Sequence, residues 1–165
     1  LVNHFEKVII VPHEVNDYYL NYYCSVLEDN DFSFKKINQY QNFNQFEEEY
    51  IIINKVGFLS KLYAQSTIAY VGGGFSKSGI HNIIEPAAAS NPVIFGSNFL
   101  NSNKSDAEGL IDVSGGFSID SYELFTEKIN WLLDKNNYNN SSKNCKSFVT
   151  ENSGSTEKIL KELYE

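Results

Sequence analysis

Between Gly72 and Glu85 the chain gathers residue types that can hold an anion and a sugar. Three consecutive glycines (Gly72, Gly73, Gly74) open a polar loop, Phe75-Ser76-Lys77-Ser78, that Gly79 closes. His81, Asn82 and Glu85 follow within a few residues. Glycine lets bare backbone approach a ligand, and the start of a helix aims N–H groups at negative charge. The imidazole, amide and carboxylate just past the loop supply directional contacts that glycine cannot. These residue types point to the binding of an anionic ligand.

Two common nucleotide motifs fail on specific residues. A dinucleotide fingerprint, G-x-G-x-x-G counted from Gly72, places Lys77 where the last glycine belongs. A phosphate-binding P-loop matches in spacing at Gly74 and Gly79, but Ile80 and His81 stand in place of its lysine and hydroxyl residue. A triphosphate with magnesium therefore has no obvious holder here. Each candidate also has a plainer role. The glycines can form a simple turn. Glu85 can be the return arm of a capping box with Asn82, three residues earlier. His81 can be an ordinary helix-entry residue, and Lys77 either faces solvent or closes over a ligand.

The elements that position these residues alternate. Residues 7–11, 32–37, 50–53, 67–71, 92–95 and 116–119 read as strands. Residues 17–27, 58–65, 83–89, 105–111 and a stretch from an N-cap at Asp120 read as helices. In the first helix Tyr18, Tyr19, Tyr22, Tyr23, Val26 and Leu27 form the apolar stripe. Residues 136–144, rich in Asn and Ser, read as a loop or a frayed helix start, and residues 155–164 as a last helix. This order predicts an α/β fold with a Rossmann-like parallel sheet and helices on both faces. Ligands bind outside the carboxyl ends of such strands. The loops 12–14, 54–57, 72–82 and 96–98 all follow strands, so the pattern predicts their convergence on one edge.

Composition fits one domain spanning residues 1–165. Hydrophobic residues at 42% suffice for a core and argue against disorder. No apolar run approaches the roughly 18 residues of a membrane span, and no signal-peptide pattern is present. A net charge of −8 argues against nucleic acid and against an anionic lipid surface as partners of this domain. All 13 basic residues are lysine, so no guanidinium fork can grip a phosphate or carboxylate. Cys24 and Cys145 have no ligand partners at metal spacing, and read as buried, inert thiols. The lack of Met and the start at Leu1 point to a piece of a longer protein.

The spaced motifs resemble those of the 3-deoxy-D-manno-octulosonic acid (Kdo) transferases, which assemble lipopolysaccharide. The matching residues are Val71-Gly72-Gly73-Gly74, Gly79-Ile80-His81-Asn82, Glu85-Pro86-Ala87 and Pro92-Val93-Ile94-Phe95-Gly96. Two flanking segments, residues 8–15 and 54–74, are similar to family segments in the same order. The resemblance covers most of the chain from Val8 onward.

It implies the carboxyl-terminal, donor-binding half of a GT-B glycosyltransferase, with the amino-terminal acceptor domain absent from this chain. The implied donor is CMP-Kdo and the implied acceptor a lipid A precursor, at the cytoplasmic face of a Gram-negative inner membrane; the fragment itself is expected to be soluble. The implied transfer is inverting, with the family's general base in the acceptor domain, so no catalytic residue is assigned here. The implied donor-binding residues are His13, Glu14, Val56, Gly57, Gly72, Gly73, Gly74, Phe75, Ser76, Lys77, Gly79, His81, Asn82 and Glu85. Glu85 would accept hydrogen bonds from the donor's ribose, and Val56-Gly57 would lie near the base or else form a plain helix start. Pro12-His13-Glu14 departs from the Pro-Arg of many family members. No cofactor and no metal are expected. The alternatives are a GT-B transferase or epimerase using a UDP-sugar, and a non-catalytic interaction domain.

Overall fold

The computed structural model describes residues 5–39, 42–99 and 104–154. The chain forms two compact units, one up to Leu59 and one from Ser60 onward. The expected mixed α/β architecture of parallel sheets flanked by helices is present, and its strands pair in two sets of three.

In the first unit β1 (Val8–Ile10) leads through α1 (Asp17–Glu28) to β2 (Phe34–Ile37), and a short 3-10 turn at Phe43–Gln45 precedes β3 (Tyr50–Ile53). β3 lies between β1 and β2 and is parallel to both, with Ile52 level with Ile10 and Lys36. All of Tyr50, Ile51, Ile52 and Ile53 are buried, as a central parallel strand covered on both faces requires. The α1 helix starts where the Asn16 side chain accepts the Tyr19 N–H at 3.0 Å, a standard N-cap. Its buried face differs from the expected one. Leu20, Cys24 and Leu27, with Tyr23 beside them, pack on Tyr50 and Ile52, while Tyr18, Tyr19, Tyr22 and Val26 face water. Tyrosine carries a polar tip and tolerates exposure, so aromatic content misdirected the choice between two overlapping stripes.

The second unit holds α2 (Leu59–Tyr63), which begins at the boundary, β4 (Ala69–Val71), α3 (Ile84–Ala88), β5 (Val93–Gly96), α4 (Lys104–Asp112), β6 (Gly116–Ile119), α5 (Tyr122–Leu133) and α6 (Lys135–Asn152). β5 is central and parallel to its neighbours, with Ile94 level with Tyr70 and Phe117. Its four residues are buried, and Val93 and Phe95 join Val71, Ile80, Ile83, Ala87, Ala107, Leu110 and Cys145 in one core. Asn91 is 1% exposed. Its amide nitrogen donates to the Tyr63 carbonyl at 2.7 Å and to Ser66 Oγ at 3.0 Å. Its backbone N–H reaches the Pro86 carbonyl at 3.1 Å, so one buried residue, through side chain and backbone together, ties α2 to α3.

The largest departure is the Asn-rich tract. Residues 136–144 are helical, within the 18 residues of α6. Asp134 caps the start by accepting from the N–H groups of Asn136 and Asn137. Asparagine is a poor helix former, but here polar side chains make tertiary bonds. Ser141 Oγ donates to Ser114 O at 2.6 Å, and Asn144 Nδ2 to Val113 O at 2.6 Å. Tertiary contacts override propensity. The α5 cap also moves by one residue, to Ser121, whose hydroxyl accepts the Leu124 N–H. The expected last helix, residues 155–164, lies outside the described residues.

Both cysteines are free and buried, as expected. Cys145 Sγ donates to Gly115 O at 3.1 Å, and burial pushes its thiol up to about 12 from the ordinary 9.0. A raised folded-state pKa stabilises the fold below the unfolded value, and that contribution disappears as pH rises toward the folded one. Stability is therefore expected to fall from about pH 9 upward, and Cys145→Ala to remove part of that slope while lowering stability at neutral pH. Denaturant melts between pH 7 and pH 11 check this; an unchanged slope in the variant would contradict it.

Candidate functional site

β4 ends at Val71, and the chain then folds back on itself. Gly73 pairs antiparallel with Ile80, the Gly74 N–H donates to Gly79 O at 2.6 Å, and the His81 N–H donates to Gly72 O at 3.3 Å. The polar loop 74–79 is thus closed at its base and presents Phe75, Ser76, Lys77 and Ser78 to water. Ser76 and Ser78 share a hydrogen bond at 2.6 Å across the tip.

The three glycines differ in what they do. Gly74 has φ +79°, and a Cβ there would lie 2.6 Å from the Gly96 carbonyl and from the Ile80 side chain. A Cβ on Gly96 would in turn meet Gly73 O at 2.5 Å. Gly73 and Gly74 therefore let the loop lie against the end of β5. Gly72 has no such demand: its Cβ would meet only the His81 ring edge, at 3.9 Å. Gly72 is exposed and is the position where bare backbone is open to a ligand.

Just beyond, Asn82 Oδ1 accepts the N–H groups of Ile84 at 3.0 Å and Glu85 at 3.3 Å. The expectation that helix-terminal N–H groups face a ligand is corrected here. α3 has five residues, and Asn82 takes its first donors. The return arm of a capping box is not made: among the described residues the Glu85 carboxylate accepts no hydrogen bond. Its charge is felt by Tyr63, whose phenol is pushed up to about 12, mainly by burial and secondarily by Glu85. His81 is exposed beside Gly72, and Lys77 is exposed at the loop tip.

One contributor was missed in the sequence. Asn98, after β5, donates its backbone N–H to Gly74 O at 2.8 Å and its side-chain amide to Ser76 O at 2.7 Å. The segment was marked as a strand-end loop, but no spacing signal connects Asn98 to partners more than 20 residues earlier.

In the first unit, His13 and Glu14 are exposed after β1. Glu14 accepts from the Asn16 side chain at 3.0 Å, which links it to the α1 cap. Val56 is 74% exposed after β3, and Gly57 has φ +91° just ahead of α2. β1 and β3 are adjacent and parallel, so these two loops leave the same edge of their sheet. β4 and β5 do the same for loops 72–82 and 97–99. The strand-end loops thus form two pairs, one on each sheet. Among the described residues no three His, Cys, Asp or Glu side chains gather in a way that could hold a metal.

The fold is one known from a solved carboxyl-terminal domain. The chain has a TM-score of 0.70 to the crystal structure of the C-terminal CMP-Kdo binding domain of WaaA from Acinetobacter baumannii, at 16% identity, covering 87% of this chain and 73% of that one. In sequence it is 31% identical over 118 residues to a 3-deoxy-D-manno-octulosonic acid transferase of Rickettsia bellii, covering 70% of this chain. It is 29% identical over 169 residues to the corresponding transferase of Chlamydia trachomatis, covering 98% of this chain. A bifunctional glycosyltransferase/methyltransferase of Fusobacterium nucleatum is 30% identical over 146 residues, covering 88%. No protein-family model matches the chain. The chain spans 22%, 27% and 38% of the Fusobacterium, Rickettsia and Chlamydia proteins respectively. The Kdo transferase resemblance read from the glycine and Glu-Pro motifs is borne out, and the chain is a relative of those enzymes.

Proposed function

We propose that this chain is the donor-binding domain of an inverting Kdo transferase that takes Kdo from CMP-Kdo. The observation that carries the reading is an exposed, sterically unconstrained Gly72 followed, on the same strand-end segment, by a Glu85 carboxylate that accepts no hydrogen bond among the described residues. Similarity to Kdo transferases and to a fold described as CMP-Kdo binding supports it. In this reading Glu85 accepts hydrogen bonds from the ribose hydroxyls. His81, Lys77 and the backbone of the glycine loop meet the phosphate. CMP leaves as the acceptor hydroxyl attacks the anomeric carbon, and stabilising the phosphate as it departs is this domain's contribution to the barrier. Phosphate charge is balanced without a metal ion, and the acceptor is a lipid A precursor at the inner membrane. Among the described residues no helix is long and apolar enough to cross a membrane.

Positioning two reactants is a large part of such catalysis, and the reading assigns the base and acceptor site to a separate domain. The purified chain is therefore expected to be inactive with CMP-Kdo and a lipid A precursor, and transfer to appear when an acceptor domain of a related Kdo transferase is added. Transfer by this chain alone would overturn the assignment and place the base among His13, Glu14, His81 and Glu85. The similarity to the Fusobacterium glycosyltransferase/methyltransferase favours one second reading, a different sugar nucleotide in the same site.

A further inference from the structure

We propose that Asn98 is a positioning residue that presets the loop 74–79 to receive a phosphate. The inference rests on the donor-binding reading and adds a residue to it. The base of the loop is fixed by the Gly73–Ile80 pairing and by the close approach of Gly74 to Gly96. The arm from Gly74 to Ser76 is held from outside by Asn98, through its backbone N–H on Gly74 O and its side-chain amide on Ser76 O. Among the described residues no peptide bond is cis. In a trans peptide the carbonyl and the following N–H point in opposite directions within one plane. Turning the Gly74 and Ser76 carbonyls toward Asn98 therefore turns the N–H groups of Phe75 and Lys77 away from it, both to the same side. Among the described residues neither N–H donates to an internal acceptor. Two free backbone donors aimed together form an anion-binding concavity, and the Lys77 side chain rises from the same stretch. Asn98 also keeps two carbonyl oxygens, which would repel a phosphate, on the far side.

The test compares wild type with Asn98→Ala and Asn98→Asp, using CMP and cytidine as probes. Both variants lose the donor to Ser76 O, and the aspartate keeps the size of the side chain. CMP affinity is expected to fall about three- to tenfold in Asn98→Ala, while cytidine affinity changes by less than about twofold. Partial unfolding lowers both apparent affinities by the same factor, so the CMP-to-cytidine ratio reports the phosphate contact alone. Amide exchange of the unliganded protein is expected to be faster in residues 74–79 of both variants. An unchanged ratio or unchanged loop exchange overturns the role of Asn98 and leaves the donor-binding reading standing. A wild-type chain that binds CMP no better than cytidine overturns both.

Discussion

Glu85→Ala is expected to weaken CMP binding by about 1.5–3 kcal/mol, roughly ten- to a hundredfold. The size follows from the charge: hydrogen bonds to an ionised group are stronger than neutral ones, and a ribose offers two hydroxyl donors. The fold is expected to tolerate the change. Asn82, and not the Glu85 carboxylate, caps the start of α3, and the carboxylate has no hydrogen bond to lose among the described residues. Calorimetric titration together with a thermal melt checks both halves. An unchanged dissociation constant in a folded variant would remove Glu85 from the site.

The largest effect on stability is expected at Gly74. Gly74→Ala combines a left-handed backbone angle of +79° with a Cβ 2.6 Å from the Gly96 carbonyl, which is backbone and cannot swing aside. Strain of the first kind costs about 1–3 kcal/mol and overpacking of the second a similar amount, so about 2–6 kcal/mol is expected. Gly72→Ala is the control. It meets nothing closer than 3.9 Å and should leave stability nearly unchanged while obstructing a ligand that approaches the backbone. Denaturant unfolding of the two variants separates a structural glycine from a functional one. Equal stability losses would contradict the division of labour between them.

What was legible in the sequence follows from where the signal is local. β3 and β5 could be read because central parallel strands are continuous apolar runs, here Tyr50 to Ile53 and Val93 to Gly96. The ligand loop could be read because three adjacent glycines are costly without a reason. Their division was hidden, since the demand on Gly74 comes from Gly96 across the sheet. Asn98 was hidden for the same reason, because its partner Ser76 lies 22 residues away. The helix at residues 136–144 is set by bonds to Val113 and Ser114, which outweigh a composition that reads as loop. The exposed tyrosines of α1 show the reverse error: an apolar pattern was present, but Leu20, Cys24 and Leu27 held the better buried face.

The central claim is that this chain recognises the nucleotide of a CMP-sugar. Titrating it with CMP and with UDP, each with and without a chelator, tests that claim most directly. The account predicts saturable, modest binding of CMP at one site, weaker binding of UDP, and no change on chelation. Tighter binding of UDP, loss of CMP binding on chelation restored by magnesium, or binding of neither nucleotide would contradict it.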